Sequence, residues 1–138
     1  MAYDIAVIGG GPAGLSAAVQ ARQRNKSVVV ISGDDRDGPI YKTERIDNYL
    51  GLPQIRGPEL LERFRKHADS MGVERKTGRA LNIMQMNGAF YISIGSDMAQ
   101  AGAVVLAPGV ARGVKYPGEA EHLGAGVSYC ATCDGMLY

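Results

Sequence analysis

The stretch that decides the fold is YDIAVIGGGPAG, residues 3–14. Its first half is an apolar, mostly β-branched run that predicts a strand over residues 3–8. Its second half places Gly9, Gly11 and Gly14 in the spacing Gly-x-Gly-x-x-Gly. In a strand-to-helix turn, the first glycine permits the sharp bend, the second lets the backbone approach a pyrophosphate, and the third lets the helix pack closely on the strand. The turn therefore predicts nucleotide binding, although glycine-rich turns also serve ordinary packing.

The residues that follow complete a strand–helix–strand unit. From Pro12 to about Arg24 the apolar residues recur with helical spacing, and Pro12 suits a first helical turn because its missing N–H would be unpaired there. The free N–H groups of such a helix start attract phosphates. The run SVVVIS at residues 27–32 is typical of a parallel strand covered on both faces.

The acidic residue that usually binds the adenosine ribose after the second strand is absent. Ser32 and Gly33 stand there, and Asp34 and Asp35 follow. We expect Ser32 or backbone groups to hold the ribose. A ligand with a 2′-phosphate on this ribose is a weaker expectation, because Arg36 is the one cation expected nearby.

The rest of the chain up to residue 110 predicts further elements. They are a long loop (33–53), a helix from Gly57 to about Met71 that Gly72 ends, a weakly alternating region (73–94) with a hairpin turn at Asn87-Gly88, and a short buried strand (103–106).

The chain has two cysteines, Cys130 and Cys133, and Asp134 follows them directly. Two thiols at this spacing can close a small disulfide and cycle with two electrons. A thiolate must attack, so an adjacent acid such as Asp134 can transfer the proton. In a reducing cytosol such a pair is more often catalytic or metal-binding than structural. Inert cysteines, or half of a zinc site shared between chains, are the alternatives; His67 and His122 are isolated, so no metal site within one chain is predicted.

Composition excludes several classes of function. The 138 residues are 46% hydrophobic and 21% charged with a net charge of +1, which gives no electrostatic reason to expect nucleic acid or an anionic membrane as partner. Apolar runs such as residues 103–107 are far too short to span a bilayer, and the first residues lack the basic segment of a signal peptide. We therefore expect a cytoplasmic protein.

Taken together, the motifs resemble those of the low-molecular-weight thioredoxin reductase family, in the family's order along the whole chain. The matching segments are DIAVIGGGPAG (4–14), IDNYLG (46–51), GPEL (57–60), APG (107–109), PGE (117–119) and GVSYCATCDG (126–135).

The resemblance implies an α/β fold: a Rossmann-like FAD-binding domain with a parallel sheet and a β-hairpin or meander insertion. Residues 1–112 would form the amino-terminal part of this domain, and residues 113–138 the linker and the start of a second, NADPH-type domain that carries the cysteines. Family members are about twice as long. We therefore expect a truncated chain, inactive alone, with the NADPH site outside it.

The family's residue roles carry over to matching positions, as implications of the resemblance. FAD would be the cofactor, with Cys133 exchanging electrons with the flavin, Cys130 attacking the disulfide of thioredoxin and Asp134 moving the proton. The implied FAD-binding residues are Gly9, Gly11, Pro12, Ala13 and Gly14 at the pyrophosphate, Gly38, Ile40 and Asn48 beside the flavin and its chain, Ala80 near the adenine, and Ala107 and Gly109 closing over the cofactor; Ser32 and Gly33 would face the ribose.

The function so implied is FAD-dependent thioredoxin-disulfide reduction by a homodimer. Two segments depart from the family pattern: the family's Gly-Gly-Gln-Leu is Asp37-Gly38-Pro39-Ile40 here, and Pro108 replaces a threonine. These departures leave open a ferredoxin-dependent flavin thioredoxin reductase that does not use NADPH. A nucleotide-binding module without catalysis is the third alternative.

Overall fold

The computed structural model of the protein describes residues 2–34, 36, 38–110 and 115–128. Within these ranges the elements are β1 (Ala2–Ile8), α1 (Pro12–Gln23), β2 (Val28–Ser32), α2 (Gly57–Ser70), β3 (Glu74–Thr77), β4 (Ala80–Met86), β5 (Ala89–Ile94), β6 (Asp97–Leu106) and α3 (Glu119–His122). No helix in this part of the chain is long and apolar enough to cross a membrane.

Six strands form one sheet in the order β3-β2-β1-β6-β5-β4. Strands β3, β2, β1 and β6 run parallel to their neighbours, whereas β4, β5 and β6 form an antiparallel meander. The predicted fold class, a parallel α/β sheet with a meander, is confirmed. The strand–turn–helix–strand unit at the start of the chain is confirmed as well, with Ile5 opposite Val28 and Ile8 opposite Ile31 in the register of β1 and β2.

The central strands are buried on both faces, as the apolar run of β2 predicts. On one face, Val28 and Val30 pack with α1 and α2 through residues such as Leu15 and Ala68. On the other face, Val29 and Ile31 join a second cluster with the meander. That cluster contains Ala6, Ile92, Ile94, Ala99 and Ala101. The meander therefore covers the side of the parallel strands that the helices leave open.

Strand β6 differs from its prediction. The sequence predicts a short buried strand at residues 103–106, but β6 is 10 residues long and begins at Asp97. Its first half pairs with β5 and its second half continues against β1. The end of the strand is not buried, since Leu106 is 67% exposed. The prediction was wrong because the polar and small residues DMAQAG carry little strand signal of their own, whereas two neighbouring strands hold them in the sheet.

The segment between β2 and α2 consists mainly of turns, as predicted. Ile46 and Ile55 exchange backbone hydrogen bonds of 2.8 and 3.2 Å, which closes the intervening loop. The start of α2 is fastened to the earlier part of this segment, because the N–H of Gly57 donates to the carbonyl of Thr43 at 2.9 Å. A Cβ on Gly57 would overlap the carbonyl oxygen of Ile40, so only glycine permits this approach. The contact fixes the position of residues 38–43 beside the sheet.

Candidate nucleotide-binding site

A cavity of about 450 Å³ lies at the carboxyl ends of β1, β2 and β6. Its volume is in the range of small-molecule sites, and the carboxyl edge of an open parallel sheet is where such folds bind ligands. Six segments line it: the glycine turn, the end of β2, residues 38–41, Leu61 of α2, the β3–β4 turn and residues 107–110. The cavity thus gathers residues that are far apart in the sequence.

The three glycines of the turn have different physical roles. Gly9 has φ of +112°, and a Cβ there would overlap the carbonyl oxygen of Ala107. A Cβ on Gly14 would overlap the carbonyl oxygen of Gly9, so the helix approaches the turn more closely than alanine would allow. Gly11, in contrast, has no atom within 4 Å of its ideal Cβ position, although it lines the cavity. Gly9 and Gly14 are therefore required by packing, whereas Gly11 leaves room beside the backbone for a ligand.

The start of α1 presents donors to the same cavity. Gly11 is the N-cap and Pro12 begins the helix, and the first intrahelical bond runs from the N–H of Leu15 to the carbonyl of Gly11 at 2.9 Å. No side chain caps this end, and no acidic residue stands in the first turn. The helix start therefore keeps its partial positive charge for a ligand, as anion-binding helix starts do. Together with the space at Gly11, it fits the pyrophosphate of a dinucleotide.

The end of β2 forms another wall of the cavity. Ser32 is half-buried, and its carbonyl accepts a hydrogen bond of 2.8 Å from the N–H of Gly78. Asp34 also lines the cavity and is exposed; Nε of Arg36 donates to its carboxylate at 3.1 Å. This side-chain hydrogen bond is the largest of the causes that hold the pKa of Asp34 below its usual range. The carboxylate is thus ionised at neutral pH.

The structure corrects the expectation that Arg36 is the one cation near the end of β2. Arg79, in the β3–β4 turn, lines the same end of the cavity, and its Cγ is 3.7 Å from the ideal Cβ position of Gly33. Thr77 is paired with Ser32 in the parallel ladder of β2 and β3, so the residues after both strands meet at one edge. The polar strand ERKT has no apolar pattern, and the sequence therefore gave no sign of this neighbour.

The opposite side of the cavity is formed by residues 38–41, the segment held by Gly57. Gly38, Pro39, Ile40 and Tyr41 all face it. The hydroxyl of Thr43 donates to the carbonyl of Pro39 at 3.0 Å, which braces the turn. This wall offers apolar surface and no charged side chain, so it suits a flat, uncharged ring better than a phosphate.

Most of the predicted cofactor-binding residues line this cavity. They are Gly9, Gly11, Pro12, Ser32, Gly33, Gly38, Ile40, Ala80, Ala107 and Gly109. Three do not: Gly14 packs beneath the turn, Ala13 is exposed on α1, and Asn48 is exposed in the loop between Ile46 and Ile55. Sequence analysis missed three notable lining residues, Tyr41, Leu61 and Arg79, and it placed Asp34 after the second strand without assigning it to the site. A ligand role for all of these residues stays a prediction.

The predicted catalytic residues Cys130, Cys133 and Asp134 lie outside the described residues. Asp35, which follows Asp34 in the sequence, lies outside them too. Within the described ranges, no group of three or more His, Cys, Asp and Glu side chains could hold a metal ion.

Comparison with known proteins gives a consistent result. Residues 3–138 match the family model described as pyridine nucleotide-disulphide oxidoreductase. The thioredoxin reductase of Bacillus subtilis (strain 168) is 37% identical over 137 residues, which cover 99% of this chain and 43% of that protein. The solved thioredoxin reductase of Streptococcus pyogenes MGAS5005 superposes with a TM-score of 0.83 at 34% identity, covering 99% of this chain and 45% of that chain.

A second type of relative has a higher sequence identity and a lower TM-score. The ferredoxin-flavin thioredoxin reductase of Clostridium acetobutylicum superposes with a TM-score of 0.76 at 42% identity, covering 100% of this chain and 48% of that chain. The chain spans less than half the length of these relatives. Since the family model matches almost every residue and the fold agrees with the solved relatives, the chain belongs to the pyridine nucleotide-disulphide oxidoreductase family.

Proposed function

We propose that the protein to which this chain belongs is an FAD-dependent thioredoxin-disulfide reductase. The observation that carries the proposal is the glycine turn: Gly9 and Gly14 are fixed by packing, while Gly11 and the uncapped start of α1 face an open cavity. This arrangement suits a dinucleotide pyrophosphate. The same chain carries Cys130 and Cys133 in the C-x-x-C spacing of a redox pair.

In this proposal the residues of the cavity would hold FAD. Gly11 and the start of α1 would bind the pyrophosphate, and Ser32, Gly33 and Ala80 would bind the adenosine. Gly38, Ile40 and Asn48 would hold the flavin and its chain, and Ala107 and Gly109 would complete the site. The bound FAD supplies two-electron chemistry to the cysteine pair.

The cysteine pair would then carry both electrons to the partner. Two electrons and two protons convert the Cys130–Cys133 disulfide to two thiols, and Asp134 is the proposed proton carrier. The Cys130 thiolate attacks the disulfide of thioredoxin and forms a mixed disulfide. Attack by Cys133 on Cys130 releases thioredoxin as a dithiol and restores the starting disulfide.

The remaining assignments follow from the same proposal. The electron donor is NADPH, bound outside the cavity described above, and residues 113–138 lead from the FAD-binding unit (1–112) to the second domain. The protein is a cytoplasmic homodimer, a location suited to a C-x-x-C pair that cycles between disulfide and thiols. Its near-neutral charge favours neither nucleic acid nor a membrane surface as partner.

A second candidate is a reductase that takes electrons from ferredoxin. It is favoured by the 42% identity to the ferredoxin-flavin thioredoxin reductase, compared with 34% to the Streptococcus pyogenes thioredoxin reductase. Pro39 and Pro108, one from each segment that departs from the thioredoxin reductase pattern, both line the cavity. Thioredoxin reduction supported by reduced ferredoxin but not by NADPH would select this candidate.

The test is a visible absorption spectrum of the full-length protein, followed by thioredoxin reduction. We expect a flavin band that bleaches on addition of a dithiol. Cys130→Ser and Cys133→Ser should keep the band and abolish turnover, whereas the control Thr132→Ser, between the cysteines, should keep both. A colourless protein that takes up no FAD would reject the proposal and leave a module without catalysis.

A further inference from the structure

Arg79 occupies a position that the fold fixes precisely. Strand β3 pairs in parallel with β2 and places Thr77 opposite Ser32. The next residue, Gly78, donates its N–H to the carbonyl of Ser32 at 2.8 Å. A Cβ on Gly78 would crowd the side chain of Ile94, so the turn has little freedom. Arg79 is therefore held at the carboxyl end of β2, where dinucleotide-binding folds place the adenosine ribose.

The side chain of Arg79 is available to a ligand. Its stem lies against Gly33, with Cγ 3.7 Å from the ideal Cβ position of that glycine, and it lines the cavity. Within the described part of the chain, Arg79 makes no hydrogen bond or ion pair. Arg36 and Arg75 differ, because carboxylates of Asp34 and Asp69 hold them at 3.0 and 2.9 Å. The positively charged, planar guanidinium of Arg79 is therefore available to contact a ligand in the cavity.

The surroundings of Arg79 favour an uncharged aromatic ring over a phosphate. The carboxylate of Asp34 lines the same end of the cavity and is paired with Arg36 at 3.0 Å, so this pair adds no net positive charge that would attract an added phosphate group. Ala80 supplies apolar surface there. A guanidinium stacks well on the face of a flat ring, and an arginine is better suited to this than a lysine because its cation is planar.

We propose that Arg79 is an adenosine-binding residue, whose guanidinium stacks on the adenine ring of the bound dinucleotide. The inference rests on the proposed FAD-binding function and adds a residue that determines how tightly the adenosine half is held. A contact between Arg79 and the adenine ring distinguishes FAD from FMN, since FMN carries the flavin and one phosphate but no adenine.

The experiment is a titration of the full-length protein, stripped of flavin, with FAD and separately with FMN, followed by flavin fluorescence. Arg79→Ala should weaken FAD binding about two- to thirtyfold and leave FMN binding unchanged. Arg79→Lys should recover part of the lost FAD affinity, because lysine keeps the positive charge but has no planar guanidinium. The control Arg63→Ala, an exposed arginine of α2 paired with Glu59, should bind both flavins like the wild type.

Each other outcome overturns a defined part of the argument. Unchanged FAD binding in Arg79→Ala, or equal weakening of FAD and FMN, would overturn the role of Arg79. Full recovery in Arg79→Lys would overturn the stacking and indicate charge attraction to a phosphate. Failure of the wild type to bind FAD would overturn the proposed function itself. Thermal unfolding of each variant shows that it is folded.

Discussion

At the residue scale, the glycine turn contains two kinds of glycine: those that close backbone packing requires and one that leaves room for a ligand. Gly9 and Gly14 face backbone carbonyls at distances that no Cβ tolerates, whereas Gly11 faces open space. Their spacing in the sequence was enough to predict this division, because each role follows from backbone geometry. Arg79 was not predictable in this way, since its place depends on the pairing of β3 with β2.

A pair of substitutions tests the division. Gly14→Ala should lower the free energy of unfolding by about 1–3 kcal/mol, because the added methyl forces the helix away from the turn. Gly11→Ala should lower it by less than about 1 kcal/mol, since φ of −77° at this N-cap suits alanine. The same Gly11 variant should bind FAD about tenfold more weakly or worse, because the added methyl group fills the space beside the backbone and holds the pyrophosphate away from N–H groups whose hydrogen bonds to a charged partner are each worth about 1.5–3 kcal/mol. Urea unfolding and FAD titration measure the two effects; equal destabilisation by both changes would contradict the division.

Asp4 should make the stability of the protein depend on pH in the acid range. Its carboxylate accepts hydrogen bonds from the N–H and the hydroxyl of Ser27 at 2.7 and 2.8 Å. The backbone hydrogen bond is the largest cause that lowers the pKa of Asp4 below 3.8 in the folded protein. The pKa of Asp4 is lower in the folded protein than in the unfolded chain. The contribution of Asp4 to the free energy of unfolding is therefore complete above the unfolded-state pKa and is lost as pH falls through the folded-state pKa.

The measurement is the free energy of unfolding of wild type and Asp4→Asn between about pH 6 and pH 2. The wild type should lose stability more steeply below about pH 4, and the two curves should converge toward low pH. Asp97→Asn, which changes an exposed carboxylate at the start of β6, is the control and should follow the wild type. Parallel curves for wild type and Asp4→Asn would refute the assignment.

At the scale of elements, the β4–β5 hairpin was predicted from two residues, whereas the first half of β6 was not predicted. Asn87-Gly88 is a turn signal because both positions need positive φ, and they have φ of 52° and 77°. Strand β6 has no such local signal in its first half. Its small and polar residues become strand through pairing with β5, which a single sequence does not display.

Substitution in the hairpin turn isolates the cost of the left-handed backbone. Gly88→Ala should lower the free energy of unfolding by about 1–2 kcal/mol, because alanine is strained at φ of 77°. No atom lies within 4 Å of the ideal Cβ position, so steric overlap does not add to this cost. The matched change Asn87→Gly should be neutral or slightly stabilising, since glycine accepts the same conformation freely. Thermal unfolding of both variants measures these changes. A Gly88→Ala variant as stable as the wild type would show that the turn adopts another backbone conformation.

At the scale of the whole molecule, two apolar clusters cover the two faces of the parallel strands. The continuous apolar run of β2 predicted that both faces are covered. It did not reveal that the meander provides the second cover, because the packing of Val29 and Ile31 against Ile92 and Ile94 joins segments about sixty residues apart. The site follows the same rule: residues near the glycine turn were predicted from spacing and resemblance, and those brought in by strand pairing were missed.

Ile92 tests whether the meander and the parallel strands unfold as one body. It is fully buried, so Ile92→Ala should lower the free energy of unfolding by about 2–5 kcal/mol. Amide exchange should accelerate in β2 as well as in β5, because one cluster contains residues of both strands. The control Met84→Ala, at a side chain that is 53% exposed, should change stability by less than about 0.5 kcal/mol. Faster exchange confined to the meander would indicate two independent units.

Strand β6 leaves its antiparallel partner at Ala101 and continues for five residues, 102–106, against β1 alone. Fraying that begins at the tip of the β4–β5 hairpin therefore ends before Ala107. The N–H of Ala107 donates to the carbonyl of Ile8 at 2.8 Å, and its carbonyl oxygen lies close against Gly9. The tip of the β4–β5 hairpin is therefore separated from the glycine turn by a stretch of β6 that is paired with β1. A change in the length of this tip would leave the glycine turn in register, whereas a change in the body of the meander would reach the parallel strands through Ile92 and Ile94.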